Sequence, residues 1–137
     1  MAPEDLLERL AVTLRKEVGP AVEGDYQRTQ AFMGAVVLEK IARQLRLADT
    51  HRADDDQDTT TMFADLDALL PPDGTPPDLR QAFGNARASV TTSALGQFIE
   101  SLYAARADLG DPVFTAALAR VRSTLRARID REMEYAR

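Results

Sequence analysis

The side chains that carry most enzyme chemistry are scarce in this sequence. His51 is its single histidine and cysteine is absent, so it offers no thiolate nucleophile, no disulfide and no Cys-ligated metal. One histidine also leaves a Ser-His-Asp triad or a His-rich metal site with a single member. The paired Glu-x-x-His motifs of a di-iron bundle fail on the same ground. No Walker sequence, G-x-S-x-G or H-E-x-x-H occurs, and the glycines are scattered at turns and helix ends. Asp54, Asp56 and Asp58 take the first, third and fifth places of a calcium loop. Thr59 stands where the turn needs glycine, however, and Asp65 where a longer bidentate Glu belongs. The segment therefore reads as a solvated acidic loop, with His51 inside it.

Carboxylates, arginines and three tyrosines remain. Glu39 and Glu100 are the only carboxylates well inside apolar helices, and Glu39 has Arg43 at i+4, which favours an ion pair over a general base. Tyr26, Tyr103 and Tyr135 suit core edges or interfaces better than acid catalysis. No catalytic residue is assigned, no metal or cofactor is implied, and a stand-alone enzyme is not expected. What the residues suit is binding. Tyr26, Gln27, Arg28 and Gln30 crowd polar groups into the start of an otherwise apolar helix, where they suit an anionic ligand or a partner protein. Arg122 and Arg126 stand on an Arg-rich, amphipathic last helix that suits docking on a partner or pairing as a homodimer.

Charge narrows the partners. The net charge of −5 argues against a nucleic-acid binder, whose affinity comes from neutralising phosphates. Residues 49–78 hold nine Asp against one Arg, and residues 112–137 hold six Arg against three acids. That asymmetry favours head-to-tail or intramolecular attraction over face-to-face pairing. No apolar run is long enough to span a membrane, and MAPEDLLERL lacks the basic and apolar regions of a signal peptide. A cytoplasmic protein is expected.

The elements that must position these residues all have helical period. Leu6, Leu7, Leu10, Leu14 and Val18 form one face of a first helix over 3–18, which Gly19-Pro20 should stop. Asp25 to Ala48 lies inside the longest proline-free run, residues 21–70. Met33, Val37, Ile41 and Leu45 recur along it, and Ala31, Phe32, Ala35, Val36, Leu38 and Ala42 widen the stripe. A helix so apolar should be central and covered on more than one side. A shorter helix over 60–70 follows, then the Pro/Gly loop at 71–77, with Thr75 and Asp78 in the form of a capping box. A short helix through Phe83 and an ambiguous stretch at 86–94 precede a helix over 93–108 and a last one from Asp111-Pro112 toward Tyr135. The sequence thus predicts an all-α, single-domain helical bundle over 1–137. It has four main helices and one or two short ones, with an acidic loop at 49–59.

Three segments carry a resemblance: LLERLAVTLRKEV, AVEGDYQRTQAFMGAVVLEKIARQL and DPVFTAALARVRSTLRARI. An amphipathic opening helix, a glycine turn and an aromatic-Gln-x-Arg entry into a long Ala/Val-rich helix resemble a family of small bacterial proteins of unknown domain function. That family is similar to the small accessory subunit of aminoglycoside-phosphotransferase-like kinases that phosphorylate hydroxyacyl-CoA intermediates in carboxylic acid catabolism. The family pattern closes on Asn-Pro and an aromatic, whereas this chain ends IDREMEYAR. The resemblance implies a non-catalytic partner of a kinase-like enzyme, with Tyr26, Gln27 and Arg28 as contacts. The competing expectation is a stand-alone helical module that holds a small anionic or acyl ligand between its helices.

Overall fold

A computed structural model describes residues 1–135. The fold is all-α, and no strand occurs among the described residues. Six helices follow in order: α1 from Pro3–Thr13, α2 from Asp25–Leu69, α3 from Pro77–Ala88, α4 from Thr92–Ala104, the single turn α5 from Arg106–Leu109, and α6 from Asp111–Glu134. The chain forms two compact units. One comprises Met1–Ala53 and the chain from Arg131 on, the other Asp54–Asp130.

In the first unit α1 does not stop at Gly19-Pro20. It continues through a π-helical turn at Leu14–Val18 and a last turn at Gly19–Ala21, and Val22 leaves the helix in extended geometry. The physical reason is the proline. Pro20 has no N–H to give and its ring crowds the carbonyl four residues back. The wide turn just before it, closed by the Gly19 N–H on the Leu14 carbonyl, accommodates both defects without ending the helix. Gly24, at φ 95°, then reverses the chain into α2.

The resulting hairpin is antiparallel, since Gly19 lies against Phe32, Arg15 against Glu39, and Arg46 against Asp5 and Glu8. Its seam is made of small residues. Ala11, Gly19, Ala35 and Ala42 are buried there, which lets the two backbones approach closely. A Cβ on Gly19 would stand 3.0 Å from the Leu14 carbonyl oxygen and 3.2 Å from the Phe32 ring.

The acidic loop expected at 49–59 is helical instead, and the separate helix at 60–70 is its continuation: α2 is one helix of 45 residues. No glycine or proline interrupts residues 35–70. An Asp in a helix costs only about 0.5 kcal/mol. Two extra helix ends would leave eight backbone groups to be satisfied elsewhere. Local bonds help as well. Arg52 approaches Asp49 at 3.8 Å, and the Thr60 hydroxyl donates to the Asp56 carbonyl at 2.8 Å. On a helix Asp54 and Asp58, four residues apart, share a face while Asp56 points away from both, so the calcium-loop spacing has no geometric counterpart.

The second unit has an ordinary core. Met62, Phe63 and Leu66 of α2, with Leu70 just past its end, pack with Leu79 and Ala86 of α3, Leu95, Phe98 and Leu102 of α4, and Phe114, Leu118 and Val121 of α6. Phe83 links Phe63 and Phe98 with ring centroids 5.6 Å apart in each pair. Within loop 71–77 the chain makes one tight turn at Pro72–Gly74. Thr75 is not the N-cap of α3. Its hydroxyl donates back to the Pro71 carbonyl at 2.7 Å, and Pro76 takes the cap position without a side-chain bond. Two prolines in a row keep Pro76 extended and leave fewer N–H groups for a cap to satisfy. Helix α3 runs past Gly84 to Ala88. The break in the ambiguous stretch comes at Ser89–Thr91, where the Thr91 hydroxyl accepts the Ala94 N–H at 3.0 Å and starts α4.

Candidate functional site

The polar entry of α2 is built from local interactions. Arg28 reaches the Val22 carbonyl at 3.5 Å and the Asp25 carboxylate at 3.9 Å, and the Thr29 hydroxyl donates to the Asp25 carbonyl at 2.9 Å. Tyr26, Gln27 and Gln30 are exposed beside them. These groups finish the first turn of a helix and do not converge on a common point. Arg122 and Arg126 belong to the other unit. Arg122 donates to the Tyr103 hydroxyl at 2.9 Å, Tyr103 meets Phe114 edge-on at 5.1 Å, and Arg126 is exposed one turn further along α6.

His51 is not a loop residue. It is buried on α2, and both ring nitrogens are engaged: Nδ1 with the Tyr135 hydroxyl at 2.8 Å, Nε2 with a Glu134 carboxylate oxygen at 2.9 Å. A neutral ring protonated on Nε2 satisfies both partners. The ring so held ties the last turn of α6 to α2 and leaves no nitrogen for a substrate or a metal. Among the described residues no three His, Asp or Glu side chains are placed to hold a metal ion.

Arg46 and Arg120, each beside a surface hollow, are already committed. Arg46 is held by Glu8 and by Asp5 at 2.8 Å, and the hydrogen bonds it donates to Glu8 first and Asp5 second raise it above the ordinary arginine value. Glu39 receives both arms of Arg15, at 2.6 and 3.0 Å. That bidentate pair is supplied by the neighbouring helix. Between α2 and α6 lies a hollow lined by Asp58, Asp65, Arg120, Ser123, Thr124 and Ala127. Arg120 there already serves Asp65 at 2.7 Å and the Thr124 hydroxyl at 3.0 Å. Two carboxylates beside one paired arginine make a poor seat for an anion.

The feature that stands out is apolar. Met33, Val37, Ile41 and Leu45, expected to lie inside a covered central helix, are exposed, as are Leu6 and Leu10 of α1. Each leaves between 39% and 55% of its surface in water. The helix is covered on its alanine side and open on its bulky side.

These residues share one side of the hairpin. Leu14 packs over Gly34, and Leu10 and Leu6 follow one and two turns back on the same edge of α1. The antiparallel register sets Leu14 near Val37, Leu10 near Ile41 and Leu6 near Leu45. The opposite side carries Glu8, Val12, Glu39, Arg43 and Arg46. The hairpin is therefore amphipathic as a whole, with ion pairs on one flank and layered aliphatic side chains on the other. Half-exposed side chains in that number amount to roughly 500 Å² of apolar surface, within the size range of the largest patch on a typical monomer, which is often functional.

Sequence reasoning found every residue of this face and assigned it to the core. The signal for a site lay in the pairing of two stripes on one helix, small residues on one and large ones on the other.

No protein family, curated protein or solved structure matches the chain. No helix among the described residues is long and apolar enough to cross a membrane.

Proposed function

We propose that this chain is a non-catalytic helical interaction protein that works by binding other proteins. The observation that carries the reading is the open aliphatic flank of the α1–α2 hairpin: side chains patterned as core and left half in water. The side-chain chemistry points the same way, because the one histidine is fully engaged and Arg46 and Arg120, each beside a hollow, are paired. Under the resemblance, the protein it serves is a phosphotransferase-like kinase of acyl-CoA or carboxylic acid catabolism, which it supports as an accessory subunit. The exposed Arg126 and the neighbouring Arg122 are the contacts suited to such an enzyme, since arginine forks onto surface carboxylates.

The test is affinity purification of the tagged, full chain from its host at mild salt, with identification of whatever co-elutes. Stoichiometric recovery of an enzyme, weakened by Arg122→Ala with Arg126→Ala, supports the accessory reading. Recovery of this chain alone overturns the enzyme-partner part of it.

A further inference from the structure

The aliphatic flank of the hairpin needs an occupant, and its composition restricts what that occupant can be. Leu6, Leu10, Leu14, Val37, Ile41 and Leu45 on this flank are all aliphatic. Such side chains offer nothing to an acidic or basic partner and nothing to a polar ligand. What fits is another layered aliphatic helical surface. The hairpin is one.

We propose that the occupant is a second copy of this chain, the two α1–α2 hairpins closing face to face into a four-helix bundle. This rests on the reading of the flank as a protein-binding surface and names its partner. Three physical arguments carry it. A hairpin whose fully buried seam residues are three alanines and a glycine buries little apolar surface, and two such hairpins face to face make the smallest closed helical core. Roughly 500 Å² of apolar surface from each copy makes about 1,000 Å² in all, the lower bound of a specific interface. An aliphatic face is also self-complementary under a two-fold axis without any matched charges, as an isologous contact requires.

The symmetry gives a sharp test. The middle layer of the face is Leu10 with Ile41, and a residue near a two-fold axis meets its own counterpart whichever way the axis runs. The chain has no cysteine of its own, so a single introduced thiol reports on one position. Ile41→Cys should form an inter-copy disulfide under mild oxidation. Thr13→Cys, exposed on the ion-pair flank, should not.

In parallel, light scattering behind size exclusion over about 1–100 µM should give twice the chain mass of 15.1 kDa. Val37→Glu with Ile41→Glu should weaken the dimer by about a hundredfold or more, with far-UV circular dichroism showing the helices intact. A wild-type chain at 15.1 kDa throughout that range overturns the proposal. So does equal cross-linking of Ile41→Cys and Thr13→Cys. A monomer that still captures an enzyme, and loses it on Val37→Glu with Ile41→Glu, overturns the dimer alone. A monomer that captures nothing overturns the interaction reading as well.

Discussion

The same substitution should have opposite signs at two glycines. Gly19 and Gly84 are both helical, and glycine in a helix interior is destabilising relative to alanine by roughly 0.5–1 kcal/mol. At Gly84 an added Cβ meets nothing within 4 Å, so Gly84→Ala should return that full amount as stability. At Gly19 the backbone is right-handed helical, at φ −54° and ψ −50°, so alanine can adopt it. The space is the obstacle. The methyl would stand 3.0 Å from the Leu14 carbonyl oxygen, which accepts the Gly19 N–H in the wide turn, and 3.2 Å from two atoms of the Phe32 ring.

Neither neighbour gives way freely. The carbonyl is backbone, and the ring sits across the seam where α1 and α2 approach most closely. Overpacking of this kind costs about 1–3 kcal/mol, which outweighs the intrinsic gain and leaves Gly19→Ala destabilising by about 1 kcal/mol. Because the two glycines lie in different units, hydrogen exchange resolved along the chain is the right assay. Gly19→Ala should raise exchange in α1 and in the first half of α2, and Gly84→Ala should slow it in α3 and α4. Slower hairpin exchange in Gly19→Ala, matching the gain at Gly84, would show that the close approach of Gly19 to Phe32 is absent.

Three further outcomes follow from named contacts. Thr91→Ala removes the hydroxyl that accepts the Ala94 N–H and should destabilise the second unit by about 1 kcal/mol, seen as a lower midpoint in urea. Tyr135→Phe leaves His51 Nδ1 buried without its partner and should cost about 1–2 kcal/mol, read as faster exchange in the last turn of α6. Asp56→Pro tests the continuity of α2. In a solvated loop it would be nearly neutral, but inside an uninterrupted helix it should cost about 3 kcal/mol and lower the helical circular dichroism.

Helix positions were legible wherever apolar residues recur at helical spacing, as in Leu6-Leu10-Leu14 and in Phe114-Leu118-Val121. Helix ends were less so, because residue type alone does not decide them. Gly19-Pro20 has the form of a stop, yet a single π-helical turn absorbs both of proline's defects. The run ADDDQDTTT has the composition of a loop, yet the apolar turns on each side of it propagate the helix through, since each acid costs less than a helix end. Thr75 looked like a cap, but adjacent prolines gave its hydroxyl a nearer carbonyl. At the candidate site the residues were visible and their role was not. Periodicity shows that Met33, Val37, Ile41 and Leu45 want cover, and it does not say which chain supplies it.

The division of labour on α2 has a consequence of its own for stability. Its alanine stripe sets the geometry of the hairpin, because only small residues allow the helices to come so close. Its bulky stripe releases hydrophobic free energy only when it is covered. Substitutions on the two stripes should therefore separate folding from assembly. Ala42→Leu forces an isobutyl group into a seam where Ala42 is fully buried and should cost the hairpin about 1–3 kcal/mol, at any protein concentration. Val37→Glu touches a side chain already half in water. It should change the stability of the isolated chain by less than about 0.5 kcal/mol, while abolishing the rise of the melting temperature with protein concentration that a dimer requires. A wild-type melting temperature independent of concentration, or a Val37→Glu chain that is as destabilised as Ala42→Leu at high dilution, would mean that the bulky stripe stabilises the fold from within. The hairpin would then have no energy in reserve for a partner.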